Sequence, residues 1–319
     1  MAAAAASSDV PPLQDQLNPD TLIKVVYKDS NVEEEVPKFV LGYWSIRGLG
    51  APLRNMLMAA AVRRRVPHWI ALYDVKETTN PPGGWSKESY ILDKVILKKH
   101  NALMNCPFLI DVKRQKVICQ SNAVFAYLGR ALGMMGDSDN DDKEDSVMQE
   151  SKCEELLCEI MDMRNVVVKF GYNMHGLSLT PQEAAARTFE GCRRYLFKFE
   201  LHMKTYATHL ALLVGNDRPT APDFHLWELL YQLDGLAQHY HKNDDWWQPF
   251  PLLHQYYRGF AELPDNRSSW AKESCFCQNQ LPYNNPYAVL GSCPNHQEYQ
   301  RGQETPWRGK GVIVETLDL

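Results

Sequence analysis

Tyr43 closes a short apolar run, Leu41-Gly42-Tyr43-Trp44, and is followed by Ser45-Ile46-Arg47-Gly48-Leu49, a glycine-containing turn ahead of a helix-forming segment. A phenol at such a strand-to-helix turn sits where a bound thiol can be held and ionised. A free alkyl thiol has a pKa of about 8.5 and is mostly protonated at neutral pH. A phenol O–H aimed at sulfur hydrogen-bonds the thiolate better than the thiol, which lowers that pKa and raises the supply of nucleophile. A second group suits anions. Gln120-Ser121 follows an apolar run and opens a helix, with Ser121 expected as its N-cap. The Ser121 hydroxyl would join the unpaired backbone N–H groups that collect at a helix start, and Gln120 both donates and accepts beside it. A third feature is Cys106-Pro107 ahead of the apolar run Phe108-Leu109-Ile110. Each is common alone: most tyrosines at strand ends pack, most helix-start serines only cap, and prolines often open strands.

The elements that must position these residues can be read from periodicity. Phe39-Val40-Leu41 reads as a strand and Pro52 to Val62 as a helix, with Leu53, Met56, Leu57 and Ala60 on one face. Trp69 to Tyr73 is a second strand, followed by a Pro-Gly loop from Asn80 to Gly84 that ends at Trp85. Phe108-Leu109-Ile110 and Lys116 to Cys119 form a hairpin around Asp111 to Gln115, and a helix runs from Ser121 to about Leu132. The order β-α-β, then β-β-α, is that of a thioredoxin-like domain. Beyond Asp142 the chain is helical over 144–171, 182–213, 223–240 and 251–262, and Thr220-Ala221-Pro222-Asp223 is a helix start with Thr as N-cap and Asp at the third position. The division expected is 1–37 as a flexible extension, in which Val25-Val26-Tyr27 could add an edge strand, 38–133 as an α/β thioredoxin-like domain, 143–290 as an all-α domain, and 291–319 as an irregular tail.

Composition excludes several classes. The chain has 319 residues, 45% of them hydrophobic, enough for two cored domains. A formal net charge of −5 without a basic stripe argues against nucleic acid. No apolar run approaches the roughly 20 residues of a membrane span. Met1 to Ser8 lacks the charged and apolar regions of a secretory signal, so a cytoplasmic protein is expected. Eight cysteines are too few for a disulfide scaffold, and Cys106, Cys119, Cys153, Cys158 and Cys192 lie in apolar or helical patterns as small thiols. Cys275-x-Cys277 with Cys293 and His296 offers soft zinc ligands at a spacing tighter than the usual knuckle, so no metal is expected. His239-Tyr240-His241 reads as solvated, and Trp246-Trp247 as packing.

Over roughly Lys38 to Leu290 the chain resembles the mu-class glutathione S-transferases. The carriers are Leu41-Gly42-Tyr43-Trp44-Ser45-Ile46-Arg47-Gly48-Leu49, Asn105-Cys106-Pro107-Phe108-Leu109-Ile110-Asp111, Gln120-Ser121-Asn122-Ala123, and Met161-Asp162-Met163-Arg164-Asn165 through Gly171-Tyr172-Asn173. The resemblance implies that Tyr43 stabilises the glutathione thiolate. It implies a cis Pro107 that turns the backbone of Cys106, with Asn105 beside it, towards the ligand as a short added strand. Gln120 and Ser121 would hold the γ-glutamyl carboxylate, and Asp162 would reach the ligand's ammonium group across a homodimer. Trp44 and Trp85 would flank the glycyl end, with Lys87 as the cation for its carboxylate, and Leu49 and Tyr172 would line the electrophile pocket. Ser45 stands in place of an acidic residue, Leu103 in place of the aromatic key of the dimer, and Ser86 to Met104 is longer than the family pattern.

The function implied is conjugation of glutathione, as co-substrate and with no cofactor, to a hydrophobic electrophile. The alternatives are a glutathione-dependent isomerase, which shares the thiolate chemistry, and a non-catalytic binding or structural relative in which the altered Ser86–Met104 segment has lost the carboxylate clamp.

Overall fold

Two apolar runs, 39–44 and 68–73, are buried along almost their whole length, as strands covered on both faces are. They are the parallel centre of a six-stranded sheet in the computed structural model, which describes residues 11–27, 36–73, 76–79, 82–136, 143–171, 179–206, 212–214, 218–240, 245–266 and 311–314. In chain order the sheet strands are β1 (Leu22–Tyr27), β2 (Phe39–Trp44), β3 (His68–Tyr73), β6 (Phe108–Asp111), β7 (Lys116–Cys119) and β8 (Gly311–Val314). Their spatial order is β7-β6-β2-β3-β1-β8. β4 (Lys76–Thr79) and β5 (Pro82–Ser86) form a separate antiparallel pair. The helices are α1 (Gly50–Arg64), α2 (Glu88–Lys98), α3 (Ser121–Ala131), α4 (Lys143–Gly171), α5 (Pro181–Tyr206), α6 (Ala221–Tyr240) and α7 (Pro251–Ala261).

The expected β-α-β and β-β-α order is present as β2-α1-β3 and β6-β7-α3. α1 crosses between the parallel strands and is buried nearly all round, with every residue from Gly50 to Val62 except Asn55 inside. Burying a leucine such as Leu53 or Leu57 is worth about 1.5–3 kcal/mol. One core joins the sheet to the helices, from Phe39 and Leu41 through Phe125 and Leu157 to Leu230 and Tyr256.

Three expectations are corrected. Much of the segment read as a flexible extension is built into the fold: Leu13, Leu17, Leu22 and Ile23 are buried, and β1 pairs antiparallel with β3. Four residues of the tail read as irregular, β8, pair parallel with β1, so β1 is not an edge. The Pro-Gly stretch read as a loop is a hairpin, in which Thr78 opposes Gly84. The Ser86–Met104 segment, for which no element was expected, contains α2. Its Asp93, 1% exposed, accepts from Tyr73 Oη at 2.8 Å and from the Asn18 N–H at 3.0 Å, tying helix, sheet and N-terminal segment together.

Candidate active site

Register alone gathers most of the expected residues at one end of the sheet. Gly42 of β2 lies opposite Phe108 of β6, which lies opposite Cys119 of β7. Tyr43 and Trp44 follow Gly42, Cys106 and Pro107 precede Phe108, and Gln120 and Ser121 follow Cys119. All three pairs therefore lie at the same end of the sheet. The Cys106–Pro107 peptide is cis. The approach is close: a Cβ at Gly42 would fall 2.0 Å from the Phe108 ring, so only glycine lets β2 and β6 pack this way.

Tyr43 is 5% exposed and packs with Ile46, Trp44, Leu49, Cys106 and Val168 of α4. Its Oη accepts the Leu49 N–H at 3.2 Å. Gly48 turns with φ +40°, and a Cβ there would lie 2.7 Å from that hydroxyl. The glycine in the turn is what lets the backbone wrap the phenol. An N–H donated to a phenol oxygen polarises its O–H and makes it a better donor to an anion. Burial pushes the Cys106 thiol up to about 12 despite donation from Tyr90 and the nearby Lys94 charge. Cys106 is therefore a neutral thiol packed against the Tyr43 cluster.

Gln120, not Ser121, occupies the N-cap of α3, with φ +74° and no side-chain capping bond. Ser121 is the first helical residue. The expectation failed by one position because the left-handed backbone falls on a glutamine, where a serine cap would sit extended. Both residues still stand among the N–H groups of the helix start. A non-glycine residue at positive φ is held there by its surroundings, and such positions cluster at ligand sites.

The remaining expected residues are spread more widely. Trp44 is half-buried and packs edge-on to Tyr73 and Tyr90 of α2, with centroids 6.3 and 5.0 Å apart. Asn105 is exposed, and its Oδ1 accepts the Cys106 N–H at 3.0 Å. Lys87 is exposed at the N-cap of α2. Asp162 is exposed on α4, and Leu103 is 74% exposed. Trp85 is in β5 opposite Glu77, its side chain outside the described part of the structure. Tyr172, His241, the Cys275–Cys277 pair, Cys293 and His296 also lie outside the described residues. Among the described residues no cluster of three metal-ligating side chains occurs, and no helix is long and apolar enough to cross a membrane.

Sequence reading missed a buried network behind the turn. Arg47 donates from Nε and Nη2 to the two carboxylate oxygens of Glu228 on α6, at 2.8 and 2.5 Å, with side chains 3% and 1% exposed. Gln232 Nε2 donates to Glu228 Oε1 at 3.0 Å and stands 3.5 Å from the Gly48 carbonyl. The Tyr231 ring lies 4.3 Å from the Arg47 guanidinium. An acid among Leu226, Leu229, Leu230 and Leu233 on a buried helix face was the available signal.

No protein-family model matches the chain. It is 28% identical over 255 residues to Glutathione S-transferase Mu 5 of Rattus norvegicus, spanning 79% of this chain and 95% of that one. It is 25% identical over 257 residues to Glutathione S-transferase Mu 3 of Homo sapiens, spanning 80% and 96%. In fold it resembles the glutathione S-transferase from Ascaris lumbricoides, with a TM-score of 0.53 at 19% identity over 74% of this chain and 97% of that one. It also resembles the glutathione S-transferase Blo t 8, with a TM-score of 0.54 at 21% identity over 79% and 99%. The chain thus has the glutathione transferase fold, and its sequence similarity to mu-class proteins extends along about four-fifths of its length.

Proposed function

We propose that this protein is a glutathione transferase of mu-class type, a cytoplasmic homodimer that conjugates glutathione to hydrophobic electrophiles in detoxification. The observation that carries the reading is the Tyr43 hydroxyl, wrapped by the Gly48–Leu49 turn at the sheet end that also bears the cis Cys106–Pro107 peptide and the α3 N-terminus. Gln120, Ser121 and the helix N–H groups would take the γ-glutamyl carboxylate, and the Cys106 backbone would pair with the cysteinyl amide. Trp44, Trp85 and Lys87 would surround the glycyl end, with Asn105 beside the Cys106 backbone. Asp162 would reach a partner's ligand, and with Leu103 in place of an aromatic key the dimer interface would be weaker or differently packed.

In the reaction the thiol gives its proton to solvent while the Tyr43 O–H donates to the sulfur. The thiolate attacks the electrophile, a C–S bond forms, and with an aryl halide the carbon–halogen bond breaks and halide departs. Leu49 and Tyr172 would wall the apolar acceptor site. A bound thiolate beside a bound electrophile reacts as one molecule, which supplies much of the remaining acceleration.

Calorimetric titration with glutathione, followed by an aryl-halide conjugation assay, tests the reading. Micromolar-to-millimolar binding with turnover is expected. Binding without turnover points to a non-catalytic relative, and silence in both assays refutes a glutathione site.

A further inference from the structure

Arg47 is the pivot of the turn that holds the Tyr43 phenol. Its carbonyl accepts the Gly50 and Ala51 N–H groups at 3.0 and 2.8 Å and so starts α1, while its side chain runs the other way, into α6. A buried ion pair is weak grounds for stability, because well-packed apolar residues of the same volume often serve as well. What a two-pronged guanidinium–carboxylate contact does supply is one distance and one angle. Here that geometry is further constrained by Gln232, which bonds the same carboxylate and faces the Gly48 carbonyl, and by Tyr231 against the guanidinium. The turn so fixed carries the Leu49 N–H that donates to the phenol, and a glycine 2.7 Å, at its missing Cβ, from the same oxygen. Movement of the turn therefore moves the phenol.

We propose that Glu228, acting through Arg47, is a positioning residue that aims the Tyr43 hydroxyl at the substrate thiol. The inference rests on the transferase reading. Other titratable or charged groups surround the assembly. Arg54 of α1 has Nη1 2.5 Å from where a Gly50 Cβ would sit against the Tyr43 ring. Tyr231 of α6 lies against the Arg47 guanidinium, Tyr257 of α7 lies near the ion pair with Asp234 of α6 beside it, and Cys106 packs on Tyr43. None of these groups is altered by the substitutions below.

Positioning and simple charge differ in sign. Removing a nearby negative charge with the turn unmoved would favour the thiolate and lower the pKa of bound glutathione. Releasing the turn would weaken the phenol's hydrogen bond and raise it. The test compares the parent with Glu228→Gln and with the double variant Arg47→Met/Glu228→Leu, which leaves no unpaired charge and is expected to stay folded. The readouts are the ultraviolet thiolate band of bound glutathione against pH, and kcat and KM separately. In both variants the apparent thiol pKa should rise by about one unit, which lowers kcat at mildly acidic pH about tenfold, with KM for glutathione within about twofold. An unchanged or lowered thiol pKa in either folded variant overturns the proposal while leaving the transferase reading intact. A parent protein with no thiolate band overturns the transferase reading, and the proposal with it.

Discussion

Tyr43 and Cys106 touch in one cluster, yet only the first is suited to manage a substrate sulfur. A thiol pushed up to about 12 by burial stays protonated at neutral pH and repels no anion beside it. The phenol is a donor whose oxygen already accepts the Leu49 N–H. Loss of one aimed donor at a developing or bound anion costs about 100-fold in rate. Tyr43→Phe should therefore lower conjugation about 100-fold near neutral pH. The deficit should shrink as the pH climbs past the free thiol value of about 8.5, where solvent alone supplies thiolate. Folding should change little, because the ring remains and one hydrogen bond is worth about 1 kcal/mol. A rate profile parallel to the parent's at every pH would remove the phenol from the mechanism.

The start of α6 carries the same logic to an element. Asp223, fully buried, accepts the Leu213 N–H at 2.9 Å, the Thr220 N–H at 2.7 Å and the Thr220 hydroxyl at 2.6 Å. The Ala221 N–H donates to the Met134 carbonyl at 2.7 Å and so ties this helix to the segment that follows α3. Asp223→Ala strands three buried donors, and about 4 kcal/mol of stability should go with them. The urea midpoint should fall with little change in slope; a loss under about 1 kcal/mol would mean that the helix start relaxes freely. This cap was readable because Thr-Ala-Pro-Asp is a local signal, just as β2 and β3 were readable as apolar runs. α2 was not, because its burial contradicts its hydropathy: Asp93 is inside while Ile91, Leu92 and Val95 are 52%, 69% and 57% exposed. The N-terminal strand was underrated because Leu13 to Tyr27 splits between short 3-10 turns and one short strand, so the alternation of Ile23, Val25 and Tyr27 covers only three buried positions. At the site, Tyr43 and Gln120-Ser121 were legible from type and context. The Arg47–Glu228 pair joins residues 181 apart in sequence, which only folding reveals.

At the scale of the whole molecule, α6 is the common partner: it packs on α1, α3, α4, α5 and α7. Its His225 is buried and stacked on Phe125 of α3, with centroids 4.6 Å apart, while His68 is buried in β3 with Nδ1 3.0 Å from the Val66 carbonyl. Burial lowers His225 to about 3, helped by the charge of Arg164, and lowers His68 to about 4 in spite of its backbone bond. Below the ordinary value of 6.5 the unfolded chain takes up protons that the folded one refuses. Each histidine's contribution is therefore intact above that value and declines as pH falls towards its folded pKa, by about 2 kcal/mol at pH 5. Asp93, raised chiefly by burial, works in the opposite sense, since its proton binds more tightly in the fold. The parent's own pH curve thus mixes signs, and a difference between proteins isolates the histidine. His225→Phe keeps a ring against Phe125 and cannot titrate. Urea unfolding at pH 7 and pH 5 should show the parent losing about 2 kcal/mol more than this variant over that interval. Equal losses would mean that His225 finds a proton in the folded state, and that the seam between α3 and α6 opens where the structure has it closed.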